Sequence, residues 1–205
     1  MNGFYREIDG IFRLRVPFEN LYTSVFVIEC NGRVALVDCA TTAFDVDEYI
    51  VPSLDALGYR LSDLDALVLT HRHGDHAGGL PRILEYAPDL KIVCDAGELF
   101  DGVSTVSLAG HTLDSIGVID IRTRTLISGD GLQGAGVDKY RCNVKSQEDY
   151  LETLTRIRND ERIERILLSH AYEPWYSDRI EGREAVLTCL AECKKYLKHY
   201  EGNLS

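Results

Sequence analysis

Three of the chain's six histidines fall within six residues, in the run His71-Arg72-His73-Gly74-Asp75-His76. Imidazole nitrogens and carboxylate oxygens are ligands for Zn, Fe, Mn or Ni, so the run is a dense set of metal donors. Positions 71 and 73 are two apart at the end of an apolar stretch, and extended geometry points both rings the same way. Gly74 is expected to let the backbone turn sharply, so that Asp75 and His76 face the same cavity. One ion held by three imidazoles keeps a position open for water. Two ions can share that water. A merely solvated polar loop gives no reason for half of the histidines to gather there.

Three further donors each follow an apolar stretch: His111 after Ala109-Gly110, Asp130 after Ser128-Gly129, and His170 after Leu167-Leu168-Ser169. Alone, any of them reads as a turn or capping residue. With the first run they account for five of the six histidines, each on a loop that a rigid scaffold would position. His199, among lysines near the end, reads as a surface residue.

The elements that must hold these donors follow from periodicity and turn signals. Strands are expected over 11–16, 24–29 and 34–38, with Asn31-Gly32 as a hairpin signal between the last two. A helix is expected over 45–57, stopped by Gly58 and weakened by Pro52. A strand over 64–70 runs into His71, and a helix over 80–86 follows Gly78-Gly79. Strands are expected over 91–94, 105–108, 115–121, 125–128 and 165–169. Ser146 and Asp149 suggest a capping box opening a helix through about Arg158. A last helix is expected over 178–200, with Ile180, Ala185, Leu187, Leu190, Ala191 and Leu197 at the helical period. Its apolar stripe leaves two packing partners open, its own domain or a second subunit in a homodimer. Strands and helices in both halves favour a layered α/β or α+β sandwich.

Composition narrows the partners. With 205 residues, 45% apolar and 27% charged, the expectation is one globular domain over 1–205. The formal net charge is 22 − 33 = −11. A field of that sign repels phosphate backbones, so no nucleic-acid partner is expected and a small-molecule substrate is favoured. Bound cations could still reverse the local sign. No apolar run has membrane-span length, and MNGFYREIDG lacks a signal-peptide core. The expectation is a cytoplasmic protein with no membrane partner. Its six cysteines, Cys30, Cys39, Cys94, Cys142, Cys189 and Cys193, are then expected to be reduced. Cys189 and Cys193 share a helix face and read as packing residues.

The motif Thr70-His-Arg-His-Gly-Asp-His-Ala-Gly-Gly79 resembles the HxHxDH signature of the metallo-β-lactamase superfamily. Gly110-His111-Thr112, Ser128-Gly129-Asp130 and Ser169-His170 are similar to its later motifs. Val37-Asp38 resembles the acidic residue the family carries at a strand end beneath its metals. The resemblance implies a four-layer αββα sandwich with two divalent ions, Zn first, with Fe or Mn as alternatives. It implies that His71, His73 and His111 bind one metal, that Asp75, His76 and His170 bind the other, and that Asp130 bridges them. Asp38 would orient a ligand imidazole from behind. An aspartate at 130 resembles the glyoxalase II, lactonase and phosphodiesterase branches. Histidine at 73, where flavodiiron oxygen reductases carry glutamate, favours hydrolysis. His111 comes 111 − 76 = 35 positions after His76, a short interval for the family.

The function so implied is hydrolysis of a small ester, thioester or lactone by metal-bound hydroxide, with Asp75 and Asp130 fixing the nucleophile. The alternatives are a mononuclear iron persulfide-dioxygenase-like oxidoreductase and a phosphodiesterase. Tyr140, Tyr172 and Trp175 are candidates for substrate contact or for packing. Arg72 and Lys139 are candidates for anion contact or plain surface charge. The glycine-rich stretch 131–140 is a candidate substrate loop or a flexible turn.

Overall fold

Tight turns and apolar runs organise the first half of the chain into an antiparallel meander. The structure is a computed structural model describing residues 3–18, 20–133, 144–171 and 175–201. Strands β1 (Tyr5–Ile8), β2 (Ile11–Phe18), β3 (Leu21–Cys30) and β4 (Arg33–Val37) pair in that order. Asn31 and Gly32 take φ of 51° and 77°. Positive φ at both central residues is what a type I′ hairpin turn requires. Two short strands, β5 (Ala66–Val68) and β6 (Ile92–Val93), then add in parallel, giving the order β1-β2-β3-β4-β5-β6. β5 is shorter than the expected 64–70, because the backbone leaves the sheet before His71.

Parallel pairing needs a crossover, and residues 43–57 supply the first. The single expected helix is three pieces: α1 (Ala43–Asp45), a π-helical stretch over Val46–Ile50, and α2 (Val51–Leu57). The physical reason is Pro52, which has no N–H to give a continuous helix. The wide turn ends just before it, and Pro52 falls in the first turn of α2, where a missing donor costs nothing. Gly58 closes α2 in the left-handed region at φ 90°. The second crossover carries α3 (Gly74–Ala77) and α4 (Leu80–Tyr86).

The second half repeats the plan. Strands β7 (Gly97–Phe100), β8 (Val103–Ser107), β9 (Ile116–Asp120) and β10 (Thr125–Ile127) run antiparallel. Helix α5 (Gln147–Asn159), whose first turn is capped by the Ser146 hydroxyl accepting from Asp149 N–H at 3.3 Å, returns the chain to β11 (Arg165–Leu167), parallel to β10. The expected last helix begins late. Residues 179–181 are β12 (Arg179–Glu181), antiparallel to β11, and α6 (Arg183–Glu201) starts only after Gly182 at φ 89°. Ile180 therefore pairs with Ile166 instead of sitting on a helix face. The buried face of α6 is Val186, Cys189, Leu190, Cys193, Tyr196 and Leu197, whereas Leu187 and Ala191 face outward. β1, β7 and β12 have no counterpart among the expected strands; each is three or four residues long, too short to show alternation.

Two units follow from the contacts, residues 1–94 and 95–205, each with its own core. The first core gathers Leu14, Val27, Leu36, Leu54, Leu67 and Ile83 among others. The second gathers Leu108, Leu126, Tyr150, Leu154, Ile166 and the buried face of α6. Among the described residues no helix is long and apolar enough to cross a membrane.

Each unit contains one parallel pair that matters for chemistry. β4 lies beside β5, with Val37 opposite Val68; β10 lies beside β11, with Ile127 opposite Leu167. Parallel neighbours end on the same sheet edge. Asp38 and His71 leave from that edge in the first unit, and Asp130 and His170 in the second. His71, Asp130 and His170 each stand three residues past the last paired residue of a strand.

The glycines of the 70–79 motif do unequal work. A Cβ on Gly74 would meet nothing within 4 Å, and Gly74 is absent from the residues with positive φ. The sharp turn comes instead from His73, extended at φ −65° and ψ 151°, with the helix beginning at the next residue. A Cβ on Gly78 would lie 2.0 Å from the Thr41 carbonyl oxygen, and one on Gly79 2.1 Å from that of Cys39. Backbone cannot yield as a flexible side chain can. We expect Gly74→Ala to leave thermal unfolding near wild type or slightly raised. Gly79→Ala should cost about 1–3 kcal/mol by overpacking, read from denaturant titration of both variants.

Candidate metal-binding site

In the first unit the donor run wraps from an extended stretch into the first turn of α3. His71 and His76 are buried, Asp75 is partly buried and His73 is exposed. The His71 and His73 ring centroids lie 4.6 Å apart, and those of His71 and His76 4.2 Å apart. The ligating atoms of His71 and His73 come within 4.8 Å of each other, and so, separately, do those of Asp75 and His76.

Beneath these rings sits Asp38, buried at the end of β4 with φ 62°. Its Oδ1 accepts from the Thr70 backbone N–H at 2.8 Å. Its Oδ2 accepts from the Thr70 hydroxyl at 2.9 Å and from His76 Nδ1 at 2.7 Å. A carboxylate only accepts, so His76 carries its proton on Nδ1 and turns the lone pair of Nε2 outward. Thr70 has one hydroxyl proton, and Asp38 takes it. The 3.2 Å contact between Thr70 Oγ1 and His71 Nδ1 must therefore be an Nδ1–H donating to the hydroxyl. His71 is fixed in the same tautomer, again with the ring's lone pair on Nε2.

Neighbouring backbone locks this arrangement. Cys39 N–H donates to the His76 carbonyl at 2.8 Å, and Gly79 N–H to that of Ala40 at 3.2 Å. Ala40, like Asp38, has positive φ, at 58°. Such conformations cluster where structure is held against strain. Burial, reinforced by Asp38, pushes the Cys39 thiol well above its ordinary range, so it stays protonated beside the donors. The five described cysteines are free thiols; Cys142 lies outside the described residues.

The second unit brings two histidines around one carboxylate. Asp130 Oδ1 lies 3.4 Å from His170 Nε2, and Oδ2 lies 3.9 Å from His111 Nε2. All three residues are buried. Gly110, at φ 143°, delivers His111; a Cβ there would lie 2.6 Å from Tyr150. The Gly110 carbonyl accepts from Lys145 and Ser146 N–H groups, tying the loop to the start of α5. Gly131, just past Asp130, is pressed against Leu108.

These separations fit cation binding. Two atoms bound to one ion at about 2.1 Å and tetrahedral angles lie roughly 3.4 Å apart. His76 Nε2 stands 3.3 Å from Asp75 Oδ2. With its proton on Nδ1, Nε2 meets a carboxylate oxygen lone pair to lone pair, which is repulsive unless a cation intervenes. Protonating all the crowded imidazoles would set like charges side by side. A metal ion satisfies the same atoms without that cost, and imidazole with carboxylate suits a divalent transition ion.

Asp38, His71, His73, Asp75 and His76 are thus gathered in one unit, and His111, Asp130 and His170 in the other. Tyr140, Tyr172 and Lys139 lie outside the described residues, as do most of 131–140 and the His199 side chain. Trp175 packs against the second core. Arg72 is exposed beside His71. Two residues with roles were not singled out from sequence. Thr70 adjoins the run, and a hydroxyl before a metal-type histidine was a usable signal. Gln133 lies beside His111 with nothing in its spacing to mark it.

Comparisons with known proteins accord with this geometry. A sequence profile described as the metallo-beta-lactamase superfamily matches residues 19–102. Ribonuclease J of Mycobacterium tuberculosis is 39% identical over 71 residues, 33% of this chain and 13% of that protein. The beta-lactamase-like protein 2 homolog of Caenorhabditis elegans is 28% identical over 165 residues, 70% of this chain and 54% of that protein. The chain thus spans little of the first relative and about half of the second. A metallo-β-lactamase crystal structure from Erythrobacter litoralis superimposes with TM-score 0.67 at 17% identity, covering 94% of this chain and 96% of that one. The fold is therefore the α/β metallo-β-lactamase fold, with two mixed sheets and flanking helices. In that fold, in the profile match over residues 19–102 and in the five motifs in order, the chain is similar to the metallo-β-lactamase superfamily.

Proposed function

We propose that this protein is a metal-dependent hydrolase acting on a small-molecule ester, thioester or lactone. The observation that carries the reading is the donor geometry: imidazole Nε2 atoms and aspartate oxygens 3.3 to 3.9 Å apart, in α3 of the first unit and on the loops just past the strands of the second. His71, His73, Asp75 and His76, with His111, Asp130 and His170, would hold two divalent ions, zinc first. Bound there, such ions supply Lewis acidity and make hydroxide available near neutral pH.

The chain's own residues do the rest. Asp38 and Thr70 keep His71 and His76 aimed through Nε2. Asp75 and Asp130 accept hydrogen bonds from the attacking water and fix its direction toward the substrate carbonyl. The net charge of −11 favours a neutral or cationic substrate over a polyanion. A second reading is phosphodiester cleavage, favoured by the 39% identity to ribonuclease J over 71 residues.

The test is metal analysis of protein purified without chelator, beside a panel of ester, thioester, lactone and phosphodiester substrates. The expected outcome is about two equivalents of metal and turnover of a carbonyl substrate. Turnover of the phosphodiester alone selects the second reading, and one iron with oxygen uptake selects persulfide-type redox chemistry. His71→Ala and Asp130→Ala should each strip metal and activity together. Full activity in both would sink the proposal.

Asp38→Asn keeps the shape but removes the charge that fixes the His76 tautomer. It should weaken metal binding about 10–100-fold while leaving the fold intact. Chelator competition and circular dichroism check the two halves of that expectation.

A further inference from the structure

His76 and His71 have their Nδ1 atoms tied by Asp38 and Thr70. The corresponding atom of His111 is tied by Gln133. This side chain is fully buried, and its Nε2 stands 2.8 Å from His111 Nδ1. Its Oε1 has no hydrogen-bond partner among the described residues. An amide has two orientations of nearly the same shape, exchanging oxygen and nitrogen.

The two orientations mean opposite things for His111. With Nε2 of the amide facing the ring, Nδ1 must accept, and the ring proton moves to His111 Nε2. That proton would point toward Asp130 and occupy the lone pair needed for a metal. It also leaves a buried amide oxygen without a partner, which costs about as much as a lost hydrogen bond. With Oε1 facing the ring, Nδ1–H donates to it, and His111 Nε2 is left as a ligand.

We propose that Gln133 is a positioning residue for His111, its Oε1 accepting from Nδ1–H and so presenting Nε2 for metal. The inference rests on the metal-binding reading above but adds a residue that reading did not contain. Its backbone is held for this task. Gln133 N–H donates to the Tyr150 hydroxyl at 2.9 Å, and that hydroxyl donates to the Gln133 carbonyl at 3.3 Å. Tyr150 is fully buried, and burial holds its phenol protonated. Tyr150 also abuts Gly110, the residue before His111. One buried tyrosine thus fixes the backbone on both sides of the His111–Gln133 contact.

The experiment uses the full chain, as purified and after zinc loading. Long-range ¹H–¹⁵N correlation reports the tautomer of His111, and competition with a chromophoric chelator reports zinc affinity. The wild type should show His111 with its proton on Nδ1 in both states. Gln133→Glu keeps an acceptor at the same place and should bind zinc within a few-fold of wild type. Gln133→Leu removes it and should bind about 10–100-fold more weakly. A proton on His111 Nε2 in the zinc-free wild type would overturn the proposal. So would a folded Gln133→Leu protein binding zinc as tightly as wild type. Should Gln133→Leu fail to fold, the wild-type tautomer decides. Wild type that takes up no zinc would end the hydrolase reading, while the tautomer would still judge the role of Gln133.

Discussion

The first unit's donor array rests on one buried carboxylate. Asp38 leaves β4 in the left-handed region, at a cost of about 1–3 kcal/mol for a residue with a side chain. A buried charge is tolerated only with its acceptors filled. All its observed partners come from the motif it supports: Thr70 N–H, the Thr70 hydroxyl and His76 Nδ1. The strain and the charge burial are offset by the hydrogen bonds that set the His71 and His76 tautomers. Neither the strand end nor the histidine run is well formed without the other. The close backbone packing of Gly78 and Gly79 against residues 39–41 reinforces the same joint.

The second unit solves the same problem with neutral groups. A parallel strand pair again brings two donors to one sheet edge, three residues past the last paired position. Here the support behind the imidazole is an amide and a phenol rather than a carboxylate. Asp130 is left as the acidic group among the donors themselves, with one oxygen toward each histidine.

Much of this was legible in the sequence, because ligand chemistry is local. Half the histidines in six residues, and single donors after apolar strands, needed no tertiary information. The Asn31-Gly32 turn and α4 were equally local. What escaped was decided at long range. Strands β1, β7 and β12 are short and gain order from their partners, so Ile180 read as helical until its pairing with Ile166 is known. The π-helical stretch before Pro52 is a compromise between a helix signal and a proline. Gly74 was credited with a turn that His73 makes, while the burden falls on Gly78 and Gly79. Gln133 was invisible because its partner is 133 − 111 = 22 residues away across the fold.

The central claim is that buried Nδ1–H contacts aim histidine Nε2 atoms at a cation. Anomalous scattering from crystals of the zinc-loaded protein tests it most directly. The account predicts zinc peaks within bonding distance of Nε2 of His71 and His76. Zinc bound through Nδ1 of either residue, or no anomalous peak at the 71–76 run, would contradict it.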